Sequence, residues 1–560
     1  MQKLLKVSTL ISAIILMLLV FAAPAAAAYT ITEFCADGYA SGDDDEYFVL
    51  DGSGDLSEWS VTDGEGTISF SGGSGRCIVA RTALAYYDVH SAYPDYEIKD
   101  TVSFIPEVLV SGKFQMANSE DSLSLLHRGV SVQSVSWPNE VERGAGRVHL
   151  YEDGVWDSRI MKIGQTRLSP ATYSADKVTL FVSPDCSYEV LTDVITDAKT
   201  SLDISMYEFT HPELARLISD AISRGVSVRI LMEGGPVGGI SAAEKGVLDY
   251  LGRAGADIYV ISGTSDYPAR YRYVHTKYLI SDSYVTAVLS ENFKESGIPV
   301  TGQEGNRGWG AVIYDAEVAA YFSSVFSADI SGKDISRRSA GSDSFPSLLA
   351  SPSYTPYFEP VTLSNVEVTP VFAPDTSYLI PDILSGAKDS VIVQQAYVTK
   401  YPNLDENPWL TLAVNAAKAG ADVRVQLDAM YYNTQDDEDN DELVSDLNRA
   451  GIPTLSARLL TDRDGITKIH NKGMIVDGRY VLISSINWNY NSPNSNRESA
   501  VIIESPEAAA YFTKVFDYDW DGYVLDNPAS YSLGFDVRFL IAGGIILCGI
   551  VFVVIRRWRR

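Results

Sequence analysis

Two hydrophobic rhythms divide the chain. From Tyr29 to about Leu168 the apolar residues come in short β-rich runs, among them Tyr47-Phe48-Val49-Leu50, Trp59-Ser60-Val61-Thr62 and Thr67-Ile68-Ser69-Phe70. Turn residues such as Asp51-Gly52-Ser53-Gly54 and Gly72-Gly73-Ser74-Gly75 separate these runs. No helix-period stretch is read between them, so residues 29–168 predict a β-sandwich. Beyond Tyr173, strand-like runs alternate with stretches whose apolar residues recur at helical spacing, notably 213–223 and 409–418. That alternation predicts an α/β sandwich built on a mixed sheet.

The α/β part is written twice. Phe181-Val182-Ser183-Pro184-Asp185 returns as Phe372-Ala373-Pro374-Asp375, and Leu251-Gly252-Arg253-Ala254-Gly255 as Leu447-Asn448-Arg449-Ala450-Gly451. Ala319-Ala320-Tyr321-Phe322 returns as Ala509-Ala510-Tyr511-Phe512. The copies fall at 173–336 and 361–520, joined by a Ser- and Pro-rich linker at 337–360. Each half is expected to hold its own mixed sheet, with corresponding edges facing.

Each copy carries one His-x-Lys: His275-Thr276-Lys277 and His470-Asn471-Lys472. Asp282 and Asp477 follow at equal offsets, as do Ser290 and Ser485, and Asn292 and Asn487. The chain has only 6 His, so two in register across a repeat are not chance. On a strand, residues two apart share a face, which groups His with Lys and Ser with Asn. Two imidazoles, two ammoniums and their hydrogen-bond donors suit a phosphate. The lysines neutralise non-bridging oxygens while one imidazole attacks phosphorus and the other protonates the leaving oxygen. The lysines supply the positive charge, so neither a metal nor another cofactor is expected. His211, before Pro212, reads as a helix start, and His90, His127 and His149 lack ligand spacing. The acidic run 436–442 lacks the glycine of a calcium loop and reads as a solvated loop.

This duplicated signature resembles the phospholipase D superfamily from about Tyr173 to Trp520. The resemblance implies a covalent phosphohistidine on His275 and an acid, then base, role for His470. Lys277, Lys472, Asn292 and Asn487 would bind the phosphoryl group with Ser290 and Ser485 assisting, and Asp282 and Asp477 would support from behind. The family also orients a histidine by a carboxylate in an Asn-Arg-Glu run, which Asn496-Arg497-Glu498 matches. The first copy departs, with Gly308 after Asn306-Arg307, and Leu289 and Ser484 replace the glycine expected before each serine. Leu289 is expected to narrow the pocket. Residues 29–168 resemble the lamin-tail domain, an immunoglobulin-like sandwich. This rests on Ile31-Thr32-Glu33-Phe34, Glu46-Tyr47-Phe48-Val49-Leu50, Leu56-Ser57-Glu58-Trp59-Ser60-Val61-Thr62-Asp63 and Val135-Ser136-Trp137. The resemblance implies a binding or positioning module whose ligand the sequence does not name.

Both ends point to a membrane. Lys3 and Lys6, an apolar run and Ala26-Ala27-Ala28 have the parts of a signal peptide over 1–28. Residues 539–555 carry no charge and precede Arg556-Arg557-Trp558-Arg559-Arg560, the pattern of one transmembrane helix with its arginines in the cytoplasm. The rest is then extracytoplasmic, where Cys35 and Cys77 have the chance to form a disulfide, while Cys186 and Cys548 read as packing. A phospholipid is the expected substrate. Extracellular nucleic acid is the alternative, weakened by a net charge of −29. A non-catalytic surface binding protein is the third reading. An internally duplicated chain completes its site as a monomer.

Overall fold

The computed structural model describes residues 28–521 apart from 142–143, 158, 403, 437–438 and 461–464. The leader expected over 1–28, save Ala28, and the apolar segment 539–555 lie outside the described residues. Among the described residues no helix is long and apolar enough to cross a membrane.

The N-terminal segment forms two facing sheets. One contains seven strands and includes Tyr29–Cys35, Tyr47–Gly52, Cys77–Thr82 and Arg147–Glu152. The other has five, including Trp59–Thr62, Asp121–His127 and Val130–Trp137. Alternation puts Phe34, Phe48, Leu50 and Val79 of the first against Trp59, Val61, Leu123, Leu125 and Trp137 of the second, in one shared core. Burying side chains of this size stabilises by roughly 1.5–3 kcal/mol each. His90, His127 and His149 each pack on an aromatic ring: Tyr86, Trp59 and Phe34 respectively.

Two expectations for this segment are corrected. A helix, Ala83–His90, interrupts the strands, capped by Thr82 Oγ1, which accepts the Ala85 amide. Only Ala83 and Tyr86 are buried on it, which is too sparse an apolar stripe to announce a helix by period. Cys35 and Cys77 are both free thiols. Their strands flank Tyr47–Gly52 on opposite sides, with Cys35 opposite Tyr47 and Cys77 opposite Leu50. Cys77 faces the shared core, whereas Cys35 faces the opposite side of the sheet with Tyr47 and Val49. Two side chains on opposite faces of a sheet cannot bridge.

The repeat forms a sheet of sixteen strands with a palindromic order. From the outer edge inward, the first copy runs Ile335–Arg337, Asp257–Ile261, Ser227–Glu233, Ser201–Met206, Lys277–Ser281, Val285–Leu289, Gly305–Tyr314 and Tyr173–Ser183. The second continues outward through Val361–Ala373, Glu498–Glu504, Tyr480–Ser484, Lys472–Val476, Ser390–Gln395, Asp422–Leu427 and Leu455–Leu459. Ile466–Ile469 adds in parallel beside Gly305–Tyr314. Pairing is parallel in the outer part of each half, except for the antiparallel edge strand Ile335–Arg337, and antiparallel towards the centre, so the sheet is mixed. The expectation of one sheet per half is corrected. Tyr173–Ser183 and Val361–Ala373 pair antiparallel, with Val178 opposite Leu363, and fuse the halves into one ladder.

Helices make the parallel crossovers. In Pro212–Ser223, Pro212 occupies the first turn, His211 Nδ1 accepts the Leu214 amide, and Leu214, Ala215, Ile218 and Ala221 are buried. Pro408–Ala419 is built alike, with Asn407 as cap. The connector after the sandwich enters the repeat directly. Thr166 Oγ1 donates to Asp375 Oδ2 and accepts from Arg497 Nη2, and the Leu168 amide donates to Asp375 Oδ1.

Candidate active site

His275 and His470 each lie two residues before an inner strand, and each is pinned by the opposite half. The His275 amide donates to the Arg497 carbonyl at 2.8 Å, and the His470 amide to the Arg307 carbonyl at 3.0 Å. Both arginines are fully buried and ion-paired, Arg307 to Asp185, and Arg497 to Asp329 and Asp375. Asp185 and Asp375 close the repeated Pro-Asp pairs, so the repeat itself supplies the counter-charges.

A second pair of carboxylates, unforeseen in the sequence, holds the residue before each histidine. Glu233 accepts the Val274 amide at 2.6 Å and the Gly235 amide at 2.7 Å. Asp428 accepts the Ile469 amide at 2.9 Å. Burial raises both carboxyls above their usual range.

The imidazoles themselves are crossed over. His275 Nδ1 lies 2.8 Å from Oε2 of Glu498, and His470 Nδ1 lies 3.2 Å from Oε2 of Glu291. The carboxylates are sealed at 0% and 3% side-chain exposure while the rings keep 13% and 20%, so each carboxylate stands behind its ring. With Nδ1 engaged, each Nε2 is left for a substrate. Glu498 is saturated: Ser485 Oγ and His275 share Oε2, and Ser492 Oγ and Asn496 Nδ2 donate to Oε1. Glu291 takes His470 and Asn306 Nδ2 on Oε2, and its buried Oε1 has no partner. Glu291 was not among the residues expected here.

The lysines follow their histidines inward. Lys277 Nζ donates to the His275 carbonyl at 2.7 Å, and Lys472 Nζ to that of His470 at 2.5 Å. Asn292 Nδ2 reaches Glu208 at 3.3 Å, and Oδ1 of Asn292 and of Asn487 is buried without a partner. Tyr207 packs edge-on against His275 with ring centroids 4.7 Å apart. A cavity of 70 Å³ beside His470 is lined by Glu208, Glu291, Asn292, Lys294 and Lys468, among others.

Burial lowers Lys277 to about 8 and Lys472 to about 7, against the opposing pull of Glu498 and Glu291. Burial also lowers His275, though Glu498 resists. His470 is lowered well below the usual range, by burial and then by Lys472, Lys468, Lys277 and His275. Both lysines and both rings thus share one field. Burial pushes Glu291 up to about 7, whereas His275, Lys277 and Asn496 hold Glu498 below its usual value despite burial.

Three assignments are corrected. Asp282 and Asp477 do not back the histidines. Each sits in a left-handed turn, φ 54° and 52°, and accepts three successive amides: Lys199, Thr200 and Ser201 for one, Lys388, Asp389 and Ser390 for the other. They tie a turn to the start of an adjacent strand. Ser485 donates to Glu498 and accepts the Ser499 amide at 2.9 Å, so it positions a carboxylate, not a phosphate. Ser290 Oγ likewise accepts a backbone amide, that of Trp309, at 3.1 Å. Leu289 is buried in its strand opposite Gly310 and does not line the cavity beside His470.

Comparison with known proteins agrees with this layout. The family described as "Cardiolipin synthase, PLD-like domain" matches residues 191–330 and 380–520, just over half of the chain. Mitochondrial cardiolipin hydrolase of Danio rerio is 28% identical over 116 residues, 21% of this chain and 45% of that protein. The Homo sapiens protein of the same name is 30% identical over 113 residues, 20% and 39%. The chain therefore spans less than half the length of these curated relatives. Among solved structures, phosphatidylserine synthase of Haemophilus influenzae Rd KW20 superposes with a TM-score of 0.44 at 14% identity, covering 60% of this chain and 85% of that one. Nuc of Salmonella typhimurium, a phospholipase D family member, superposes with a TM-score of 0.25 at 19% identity, covering 30% and 99%. The two matched segments are the two halves that carry the crossed histidines, and the chain belongs to the phospholipase D superfamily, in its cardiolipin synthase-type PLD-like domain family.

Proposed function

We propose that the chain is a phosphodiesterase of phospholipase D type, held at a membrane with its site outside the cytoplasm, that cleaves or transfers a phospholipid-type phosphodiester through a phosphohistidine. The observation that carries this reading is the crossed pairing of His275 with Glu498 and of His470 with Glu291. One phosphorus atom would meet both Nε2 atoms, with Lys277, Lys472, Asn292 and Asn487 about its non-bridging oxygens.

The unequal carboxylates divide the labour. Glu498, saturated and ionised, keeps a proton on Nδ1 of His275 and leaves the Nε2 lone pair to attack phosphorus. Glu291, pushed up to about 7 with a bare Oε1, holds one proton in common with His470 near neutral pH. His470 gives its Nε2 proton to the leaving alkoxide as the P–O bond breaks, and the proton shared with Glu291 settles on Nδ1, so the ring stays neutral and the carboxylate is left ionised. Water or an alcohol then attacks the phosphohistidine, His470 takes the new proton, and the P–N bond to His275 breaks.

The curated relatives are named for hydrolysing cardiolipin, which supports a lipid substrate here. The net charge of −29 weighs against a nucleic-acid polyanion. The lamin-tail-like sandwich is read as a positioning module, since its connector braces the Arg497 network. Incubating the full chain with cardiolipin-containing vesicles and, separately, with plasmid DNA tests the reading. Lipid turnover lost in both His275→Ala and His470→Ala is expected. Cleavage of DNA alone, or turnover that survives both substitutions, contradicts it.

A further inference from the structure

The two halves take their histidine-orienting carboxylates from different places. Gly308 stands opposite Ser183 just as Glu498 stands opposite Ala373, so positions 308 and 498 are equivalent in the ladder. A side chain at 308 would point into occupied space. Its Cβ would lie 2.5 Å from Cγ and 2.7 Å from Oε1 of Glu291, and 2.9 Å from Ser290 Oγ. Glu291 itself is matched in the second half by Ile486, which is buried in an apolar core.

The neighbours of the carboxylate are nevertheless conserved between the halves. Asn306 Nδ2 donates to Glu291 at 3.0 Å, and Asn496 Nδ2 donates to Glu498 at 3.0 Å. Each carboxylate then meets Nδ1 of the opposite half's histidine. The asparagine and the imidazole have stayed, and only the point of attachment of the carboxylate has moved.

We propose that Glu291 is a positioning residue that has replaced the carboxylate of position 308, filling the same space from the neighbouring strand end and fixing the proton and orientation of His470. The two attachments are alternatives, because the space admits one carboxyl group and not two. The account of turnover rests on the phosphodiesterase reading; the placement of the His470 proton does not.

The test is a transplant: Glu291→Ala, Gly308→Glu, the double variant, and Glu291→Gln. ¹⁵N-histidine NMR of each reports the His470 tautomer and titration, and vesicle assays report kcat against pH. Glu291→Ala and Glu291→Gln should each change the His470 ring resonances and lower kcat about 10²–10⁴-fold. Gly308→Glu alone should be impaired, since two carboxyls meet in one space. The double variant should restore the His470 resonances and recover at least about tenfold in kcat over Glu291→Ala, a gain of about 1.4 kcal/mol. Unchanged His470 resonances in a folded Glu291→Gln protein overturn the proposal, as does a folded double variant no better than Glu291→Ala. A wild-type protein without turnover sinks the phosphodiesterase reading, and the NMR arm still decides this one.

Discussion

Nδ1 of His275 lies 2.8 Å from Oε2 of Glu498, although 223 residues separate them and they belong to opposite copies of the repeat. Neither half can orient its own histidine, so duplication here completes a site instead of providing two. Because Glu498 is fully buried and receives donors on both oxygens, its charge is fixed by the scaffold. Glu498→Gln keeps the volume but removes the charge that holds the His275 proton on Nδ1. We expect kcat to fall about 10²–10⁴-fold, and stability to fall by about 1–3 kcal/mol, because the new NH2 group faces donors on a buried site. Steady-state kinetics beside a thermal melt checks this, and near-normal kcat contradicts it.

Lys277 and Lys472, lowered by burial to about 8 and about 7, are partly deprotonated at mildly alkaline pH when no anion is bound. A bound anion favours their charged forms and so draws protons in. Sulfate keeps one charge state over this range. Its affinity should weaken as pH rises from 7 to 9, by up to about tenfold per pH unit for each proton taken up. Calorimetry in buffers of different ionisation enthalpy should show proton uptake near pH 8, which Lys472→Met reduces. Binding without uptake would sink the assignment of these lysines to the anion.

Glu233 and Asp428 act on the backbone before the two histidines. Glu233 accepts amides on both oxygens, so an amide in its place turns an NH2 group against a backbone N–H. Glu233→Gln and Asp428→Asn should each cost about 1–3 kcal/mol of stability. By shifting His275 and His470 they should also lower kcat while leaving KM nearly unchanged. Denaturant unfolding together with kinetics separates the two effects; a variant as stable and as active as wild type contradicts the role.

Arg497 is fully buried between Asp329 and Asp375, with Thr166 of the connector on the same guanidinium. Removing the cation leaves two buried carboxylates unpaired. Arg497→Ala should destabilise by about 3–5 kcal/mol, read as a lower denaturation midpoint. A shift within about 0.5 kcal/mol would mean that the network bears no stabilising charge.

Much of this was legible in the sequence, for identifiable reasons. The repeat, the mixed α/β sheet and the pairing of each His with the Lys two residues on follow from strand alternation and equal offsets, which are local properties. Equal offsets also misled. Asp282 and Asp477 recur because the same turn must be tied down in each half, a folding demand that spacing alone does not distinguish from a catalytic one. The Ser485 hydroxyl suits a phosphate by type alone, but in the fold its acceptor is Glu498.

Glu291 was invisible as a single residue, since a glutamate after a strand usually faces solvent. Its signal was a difference between copies: Glu291 against Ile486, set beside Gly308 against Glu498. Glu233 and Asp428 left no such trace, because they differ in length and reach backbone 41 residues away in each half. The fusion of the two sheets depends on a long-range pairing, Val178 with Leu363, that no window along the chain contains.

The account stands or falls on one covalent bond. The full chain should be quenched in alkali during turnover of a phospholipid labelled on the phosphorus, then digested and the labelled peptide sequenced. The account predicts alkali-stable, acid-labile label on His275, accumulating in His470→Ala and absent from His275→Ala. Label on no histidine while substrate is consumed, or label on His470 alone, would contradict it.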